Sequence, residues 1–510
     1  EGHGREEVFA DVELSRTVGW FTSLFPVRLD LGGLDLEEAL AGGAALGRTL
    51  KLIKEQLRAL PDNGLGYGVL RYLNAQTSAQ LASLATPQIG FNYLGRFAAA
   101  AGTDWGPAPE AVRLGGGALP LAHCLEVNAV TLDDAEGPKL TAHWSWAPAL
   151  VTEAAVRDLA EHWFRVLGAL VGHAAAPGAG GRTPSDLPLV ALSQAEIERL
   201  ESAAAPIEDI LPLSPLQEGL LFHALYDAQA PDVYTVQLEL GLEGSLDGAA
   251  LEAAAQALVA RHGSLRAGFR HENLSRPVQI IVPQVVVPWR HIDLSLPAED
   301  ARVERLAGIL ARDRAERFDL DRAPLLRFTL IRLAADRHRL VITNHHILMD
   351  GWSMPVLVQE LFTLYADKGE AARLPRALPY RDYLAWIATQ DHAAAVSAWR
   401  EALAGLDEAT RVAAHEPGAV PAVPERITLA LSEPLSAALS QQARRHGLTL
   451  NTLLQAAWAI LLGRMTGRDA VVERFHLLPA QMLSVPIACG RAHALTREAM
   501  RRRARTLALA

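Results

Sequence analysis

Hydrophobic and polar positions along the first 171 residues follow two different periods, and the pattern predicts strands interleaved with helices. Apolar residues at helical spacing extend over 36–60, and a second helix is predicted over 152–171 with Thr152 as its N-cap. Strands are predicted at residues 18–29, 89–93, 125–132 and 140–146. This part of the chain is therefore expected to form an α/β unit.

The same kind of pattern returns after residue 206. A helix is predicted at 355–366, with Val356, Leu357, Leu361 and Leu364 on its buried side. The other predicted elements are strands at 233–242, 277–287 and 339–344, a helix at 246–262, a crossover at 371–379 and two helices within 435–463. A second α/β unit is expected here.

A small, glycine-rich and unpatterned stretch at 173–182 separates the two patterns and indicates a linker. The alternation ends again near Val472, and the chain beyond it is arginine-rich. That tail is either the product of a reading-frame shift in a GC-rich gene or a genuine basic segment that docks a partner. The predicted parts are residues 1–172, a linker at 173–205, then 206–375, 376–472 and the tail at 473–510.

Composition and charge exclude several classes of function. A content of 50% hydrophobic and 21% charged residues is that of a soluble globular protein, and the net charge of -10 argues against a broad nucleic-acid-binding face. Cys124 and Cys489 lie far apart without CxxC spacing, so neither a disulfide framework nor a zinc site is predicted. No signal peptide or membrane span is evident, and a reducing cytoplasm is the expected location.

The strongest local signal for chemistry is the pair His345 and His346 at the end of a predicted strand. Neighbouring side chains on a strand point to opposite faces, so one histidine can pack inward while the other faces a channel. We favour His346 for the channel, where a neutral imidazole can accept a proton from an attacking amine or hold that amine in line. The alternative is that both histidines are structural groups with satisfied hydrogen bonds.

Asp350 and Gly351 follow the two histidines and predict a tight turn. A carboxylate at this position is expected to brace the loop through an arginine rather than to perform chemistry. Arg261 and Arg266 are the candidate partners.

Four segments, in order, resemble the motifs of condensation domains of non-ribosomal peptide synthetases. They are LPLSPLQEG at 211–219, RHGSLRAGF at 261–269, HHILMDG at 345–351 and YRDY at 380–383. The resemblance implies that His346 is the active-site histidine, and that an acceptor amine attacks a donor thioester to form an amide. The implied supporting residues are His345, Asp350, Gly351, Arg261 and Arg266. The sequences LSPLQEGLLFH at 213–223 and HHILMDGWS at 345–353 are most similar to those of the subtype that joins a donor ending in a D-residue to an L-acceptor.

The first unit resembles another family. EGHGRE at 1–6, RTVGWFT at 16–22, GLGYG at 64–68 and FNYLG at 91–95 are similar, in order, to the later motifs of epimerization domains. The resemblance implies that Glu1 is an acid/base residue that faces a histidine of another lobe and moves a Cα proton. Asn92 and Tyr93 are implied as active-site residues beside an enolate-like oxygen. GLGYG lacks GxGxxG spacing and a P-loop lysine, so nucleotide binding is not expected.

Both families have α/β lobes similar to chloramphenicol acetyltransferase, with mixed sheets flanked by helices. The chain is then expected to hold the C-terminal lobe of an epimerization domain, one complete condensation lobe and one partial lobe. Because a further epimerization lobe would precede Glu1, we expect this piece to be inactive by itself.

The resemblance implies no directly bound cofactor and no metal. Substrates would arrive on the phosphopantetheine of upstream and downstream carrier domains, in an assembly line that also contains adenylation domains. Two other functions remain open: a stand-alone acyltransferase that uses coenzyme A, and a non-catalytic scaffold that docks carriers.

Overall fold

The fold was analysed in a computed structural model of the protein. It describes residues 14, 16–98, 121–134, 137–203, 206–226, 232–296, 298–371, 373–406, 410–412, 427–477 and 481–488. The chain divides into two compact units, Glu1–Ser202 and Ala203–Ala510. Within the described residues, no helix is long and apolar enough to cross a membrane.

Unit one contains a three-stranded sheet and six α-helices among its described residues. The strands are β1 (Ile89–Ala98), β2 (Leu125–Asp134) and β3 (Gly137–Trp146). The helices are α1 (Leu36–Leu40), α2 (Ala44–Arg58), α3 (Leu65–Gly68), α4 (Ser78–Ala82), α5 (Glu153–Ala174) and α6 (Gln194–Ala203). The sheet order is β1-β2-β3, with a parallel β1-β2 pair and an antiparallel β2-β3 pair.

One face of this sheet packs against α5. Strand register aligns Phe91, Val127 and Trp144 across the three strands, so their side chains share a face. Trp144 contacts Trp163 of α5 edge to face, with ring centroids 5.9 Å apart. Thr152 caps α5 through a hydrogen bond from Ala155 N to its Oγ1, which confirms the predicted N-cap.

One predicted strand of unit one is wrong. Residues 18–29 form no regular strand, and Val18 and Trp20 are 99% and 92% exposed. An apolar run forms a regular strand only where a neighbouring strand pairs with it along its length, and here the pairing is limited to a bridge at Ser23. The other three predicted strands and both predicted helical regions are confirmed, with the first helix broken into α1 and α2.

The segment that follows α5 packs back onto α2 through charged contacts. Lys54 Nζ lies 2.6 Å from Asp186 Oδ2, and Lys51 Nζ lies 3.4 Å from Glu198 Oε1. The Lys54 ammonium and backbone hydrogen bonding lower the pKa of Asp186. The second half of the predicted linker is therefore ordered against unit one, and it contains helix α6.

Unit two contains three sheets and eight α-helices among its described residues. The strands are β4 (Asp209–Pro212), β5 (Thr235–Glu243), β6 (Ala267–Arg270), β7 (Val278–Ile281), β8 (Trp289–Asp293), β9 (Leu326–Arg332), β10 (Arg337–His345), β11 (Ala470–Leu477) and β12 (Gln481–Ala488). The helices are α7 (Pro215–Tyr226), α8 (Gly248–Arg261), α9 (Glu299–Ala315), α10 (Ser353–Ala366), α11 (Tyr380–Ala388), α12 (His392–Ala402), α13 (Glu433–His446) and α14 (Leu450–Thr466).

The central sheet of unit two has the order β5-β10-β9-β8 and is mixed, because β8 and β9 are parallel while the other pairs are antiparallel. Ile331 and Val341 are buried against α9 on one face. Leu330 and Leu340, also fully buried, point to the other face, where α8 approaches Leu330 at Gly248. Sheets of mixed direction with helices against them confirm the predicted α/β class.

Helices α8 and α10 pack against one another and fix the region after the paired histidines. Leu357, Leu361 and Leu364 of α10 are buried, as the helical spacing predicts, but Val356 is 48% exposed. Assigning Val356 to the buried side was wrong, because a residue next to the apolar stripe turns about 100° away from it. The predicted strand at 277–287 is also shorter than expected and ends at Ile281.

A buried carboxylate connects α9 to three strands of the central sheet. Asp313 accepts hydrogen bonds from Gln237 Nε2 at 2.8 Å, from Arg327 Nε at 3.0 Å and from the Thr343 hydroxyl. Burial acts to raise the pKa of Asp313, but these hydrogen bonds outweigh it and the pKa lies below its ordinary value. The cluster ties β5, β9 and β10 to one helix.

Strands β11 and β12 pair in antiparallel fashion near the end of the chain. They extend past position 473, where the alternating sequence pattern ends. The multi-arginine part of the predicted tail, at 501–505, lies outside the described residues.

Candidate functional site

The paired histidines lie where β10 ends and the chain turns toward α10. Backbone pairing continues to the end of the strand: His345 N donates to Leu325 O at 3.0 Å, and His346 N donates to Tyr234 O at 2.8 Å. The backbone of both residues is thereby fixed from two sides. The predicted alternation is observed, because His345 is fully buried and His346 is partly exposed.

His345 is a structural residue. Its Nδ1 accepts a hydrogen bond from Ile347 N at 3.1 Å, so the ring proton of the neutral imidazole lies on Nε2. Nε2 lies 3.1 Å from Asp232 Oδ2. Burial acts to raise the pKa of Asp232, yet the adjacent His345 ring and a hydrogen bond from Tyr234 N outweigh burial and lower it. Asp232 therefore orients the His345 ring, whose Nδ1 in turn binds the loop at Ile347 N. No local sequence pattern predicts this role of Asp232.

In His346 the ring proton lies on the other nitrogen, Nδ1. Its Nδ1 lies 2.9 Å from Met349 O, and because a carbonyl can only accept, Nδ1 must be the donor. In the neutral ring, Nε2 is then an unprotonated nitrogen with a free lone pair. No hydrogen bond to that nitrogen occurs among the described residues. The loop therefore fixes the tautomer that can accept a proton.

Asp350 braces the loop, but not through an arginine. Its Oδ1 accepts hydrogen bonds from Ser353 N at 2.9 Å and from Ser353 Oγ at 2.7 Å, at the start of α10. The predicted pairing with Arg261 or Arg266 is wrong, because both guanidinium groups bind other acceptors. A short side chain at a helix start finds free backbone N–H groups closer than any arginine.

Arg261 and Arg266 anchor separate parts of unit two. Arg261 Nε lies 3.0 Å from Glu360 Oε2 on α10, and His262 Nε2 contacts the same oxygen at 2.7 Å. Arg266 is 6% exposed and donates to Glu208 and to the carbonyl of Val282. The segment RHGSLRAGF thus supports α10 and the small β4-β7-β6 sheet rather than the paired histidines.

Gly351 does not occupy a left-handed turn. Its φ is not positive, and a Cβ built at this position meets no atom within 4 Å in the described part of the chain. Backbone conformation therefore does not require glycine here. The position faces open space at the mouth of the loop.

The segment LPLSPLQEG reaches the histidine loop through one buried side chain. Ser214 and Gln217 form a reciprocal cap at the start of α7: Ser214 N donates to Gln217 Oε1 at 2.9 Å, and Gln217 N donates to Ser214 Oγ at 3.3 Å. Pro215 occupies the first helical position, where no N–H is needed. The remaining amide group, Gln217 Nε2, donates to Ile347 O at 2.9 Å.

The segment YRDY begins α11 and lies near the same loop. Arg381 pairs with Asp209 of β4 at 2.7 Å. Burial raises the pKa of Tyr380 against an opposing hydrogen bond with Ser214, and the Asp350 carboxylate contributes to the rise. Burial and then Asp350 also raise the pKa of Tyr383. Both phenols are therefore neutral hydrogen-bond donors at neutral pH.

Of the candidate residues of unit one, the structure describes Asn92 and Tyr93. Glu1 lies outside the described residues. Asn92 and Tyr93 are neighbours on β1 and so point to opposite faces of the sheet. Asn92 Nδ2 donates to Asn128 Oδ1 at 3.2 Å, whereas the Tyr93 hydroxyl contacts Thr131 Oγ1 at 3.0 Å on the face that also holds Trp144. Only Asn92 faces away from α5.

Comparison with known protein families matches the condensation domain over residues 1–186 and again over 207–475. The chain belongs to the condensation-domain family. Each unit thus contains its own stretch of condensation-family sequence, and the gap between the stretches includes the boundary between the units. The four segments around His346 lie within the second stretch.

Curated relatives are very large synthetases. The chain is 39% identical over 483 residues to one of the linear gramicidin synthase proteins of Brevibacillus parabrevis, covering 92% of this chain and 6% of that protein. It is 32% identical over 479 residues to bacitracin synthase 3 of Bacillus licheniformis, covering 92% and 7%. The chain spans less than a tenth of the length of these two relatives.

Solved structures of similar proteins include the first condensation domain of the calcium-dependent antibiotic synthetase with a substrate analogue. That match has a TM-score of 0.47 at 25% identity and covers 58% of this chain and 74% of that one. The cyclization-docking bidomain of EpoB from Sorangium cellulosum matches with a TM-score of 0.47 at 21% identity, covering 75% and 74%.

Proposed function

We propose that unit two forms an amide bond between two substrates held on carrier domains of a non-ribosomal peptide synthetase. The observation that supports this most is the tautomer of His346, because its Nδ1 is committed to Met349 O and its Nε2 is free to accept a proton. Family membership supports the assignment to peptide synthesis.

The chemistry follows from that lone pair. An acceptor amine hydrogen-bonded to His346 Nε2 attacks the donor thioester carbon, a C–N bond forms, and the C–S bond breaks. The amine proton passes through the imidazole to the departing thiolate, so the products are an amide and a free thiol. Holding a reacting amine in line is itself a large part of such catalysis.

The proposed substrates are an aminoacyl acceptor of L configuration and a peptidyl donor that ends in a D-residue. The sequences of the segments at 213–223 and 345–353 support that subtype. Upstream and downstream carrier domains would present both groups on phosphopantetheine, and adenylation domains of the same assembly line would load them.

For unit one we propose inversion of the Cα of a carrier-bound aminoacyl or peptidyl thioester, from L to D. Inversion needs one group to remove the proton and another to return it from the opposite side. Glu1 is the proposed acid/base residue of this unit, with a histidine of another lobe opposite it. The position of Asn92 on the sheet face that α5 leaves open supports its role beside the substrate.

The test of unit two uses the synthetase that contains this chain, with a D-terminated donor and an L-acceptor on their carriers. We expect an amide product by mass spectrometry only when both carriers are loaded, and at least tenfold less when the donor ends in an L-residue. Equal product from a coenzyme A thioester in place of the donor carrier would favour a stand-alone acyltransferase. No product from competent loaded carriers would favour a non-catalytic scaffold.

The test of unit one is exchange of the Cα proton with deuterium in the loaded carrier. We expect exchange in the synthetase and its loss in Glu1→Gln. Exchange that persists unchanged in that variant would remove Glu1 from the proposed role.

A further inference from the structure

Unit one presents a row of polar side chains on the sheet face opposite α5. Strand register aligns Asn92 of β1 with Asn128 of β2 and His143 of β3, and it aligns Glu126 of β2 with Ser145 of β3. Paired residues of neighbouring strands point to the same side of a sheet. Five polar side chains from three strands therefore share one face, while Phe91, Val127 and Trp144 occupy the other.

A sixth polar side chain lies over this row because of a glycine. His123 precedes β2, and a Cβ built on Gly90 of β1 would lie 2.9 Å from His123 Nδ1. Any other residue at position 90 would push the imidazole away from the sheet. Gly90 and Glu126 are register partners, so the ring lies on the polar face.

His123 holds the carboxylate of Glu126 by one oxygen. The distance from His123 Nδ1 to Glu126 Oε1 is 3.2 Å, and both side chains are about three-quarters or more buried, at 20% and 26% exposure. A carboxylate accepts hydrogen bonds at two oxygens. Within the described residues, no hydrogen bond is made to Oε2, so one acceptor of an oriented carboxylate is free.

The neighbouring side-chain amides of Asn92 and Asn128 also leave one hydrogen-bond acceptor without a partner among the described residues. Asn92 Nδ2 donates to Asn128 Oδ1, but Asn92 Oδ1 is buried and has no hydrogen-bond partner among the described residues. A buried polar atom without a partner costs free energy unless a ligand supplies the hydrogen bond. The row thus offers two free acceptor oxygens, on Asn92 and Glu126, at neighbouring positions of one sheet face.

We propose that this row binds the carrier-bound residue through its nitrogen, with Glu126 Oε2 accepting the N–H hydrogen bond and His123 holding Glu126 in place. The ligand is an α-amino or α-amido thioester, because both carry an N–H that a carboxylate can accept. Fixing the nitrogen beside Asn92 fixes the direction of the Cα–H bond, which decides where the proton leaves. The inference rests on the proposed function of unit one.

The experiment measures binding of three unreactive probes to the synthetase by calorimetry. The probes are alanyl-pantetheine with an amide in place of the thioester, its N-acetyl form, and the propionyl analogue, which lacks the nitrogen. The variants are Glu126→Leu, which removes the acceptor, and Glu126→Gln, which keeps a neutral one. Glu153→Leu is the matched control, because it removes an exposed carboxylate that pairs with Arg157 on α5.

In the wild type and in Glu153→Leu, we expect one or both nitrogen-bearing probes to bind about tenfold or more tightly than the propionyl probe, as the loss of a hydrogen bond to a charged group implies. Glu126→Leu should bind all three alike. The nitrogen-bearing probe that the wild type prefers identifies the ligand as an ammonium or an amide. In Glu126→Gln, a preference for the N-acetyl probe should persist, because a neutral oxygen still accepts an amide N–H, whereas a preference for the alanyl probe should be lost with the charge.

Equal binding of the three probes by the wild type would overturn the proposal, and so would a preference that survives in Glu126→Leu. Absence of Cα deuterium exchange in a wild type that still shows the preference would instead contradict the proposed epimerization while leaving the binding row intact. The two failures are therefore distinguishable.

Discussion

The side-chain amide of Gln217 donates a hydrogen bond to the carbonyl of Ile347, 130 residues further along the chain, at 2.9 Å. Ile347 directly follows His346, so this bond fixes the loop whose carbonyl at Met349 orients the His346 ring. Gln217 is itself held by its reciprocal cap with Ser214. The first and third condensation-like segments are therefore parts of one hydrogen-bonded structure.

Gln217→Leu should lower the free energy of unfolding by about 1–3 kcal/mol, because it leaves the buried Ile347 carbonyl without a partner. It should also lower kcat for amide formation more than it raises KM for the acceptor, since the loop orients the imidazole. Steady-state kinetics and denaturant unfolding measure the two effects. Gln441→Leu, at an exposed position of α13, is the control. Unchanged kinetics in Gln217→Leu would show that the loop is held by other contacts.

Asp232→Asn should destabilise unit two by about 2–4 kcal/mol, because it removes the charge that faces the buried Nε2–H of His345. Chemical unfolding at neutral pH measures the loss. Asp158→Asn, at a carboxylate that is 72% exposed, should change stability by less than about 0.5 kcal/mol. A loss in Asp232→Asn as small as in that control would mean that His345 does not depend on Asp232.

Because of Asp313, the free energy of unfolding of unit two should decrease at acidic pH. Its pKa is lowered in the folded protein, so its contribution is fully present above the ordinary value of 3.8 and is lost as pH falls below 3.8 toward the folded pKa. Asp313→Asn should cost about 3–5 kcal/mol at pH 7, because it leaves Arg327 buried and unpaired. The stability gap between wild type and variant, measured by denaturant unfolding across pH, should narrow below 3.8. A stability difference between wild type and variant that stays constant across pH would contradict the lowered pKa of Asp313.

The sequence predicted what depends on local periodicity. The alternation along β10 sends His345 inward and leaves His346 partly exposed, and the same alternation separates Asn92 from Tyr93, which motif resemblance alone had grouped together. Contacts between distant segments could not be predicted this way. Neither the Asp232 partner of His345 nor the Glu360 partner of Arg261 has a local signal, because both depend on how strands and helices meet in the fold.

Two predictions failed for related physical reasons. The apolar run at 18–29 pairs only through a bridge at Ser23 and forms no regular strand, and Asp350 binds Ser353 instead of Arg261 or Arg266. In both cases the sequence contained residue types that suit the predicted structure. The hydrogen-bonding partners that lie nearby in the fold determined which structure formed. The donor subtype, the role of Glu1 and the frame-shift explanation of the tail remain predictions.

The most direct test of the account is amide formation by His346→Ala in the synthetase with both carriers loaded. Removing the proton acceptor should lower the rate of product formation by about 10²–10⁴-fold with little change in the free energy of unfolding. His392→Ala, at an exposed position of α12, should retain the wild-type rate. A His346→Ala variant that forms the amide at the wild-type rate would contradict the proposed role of the fixed His346 tautomer.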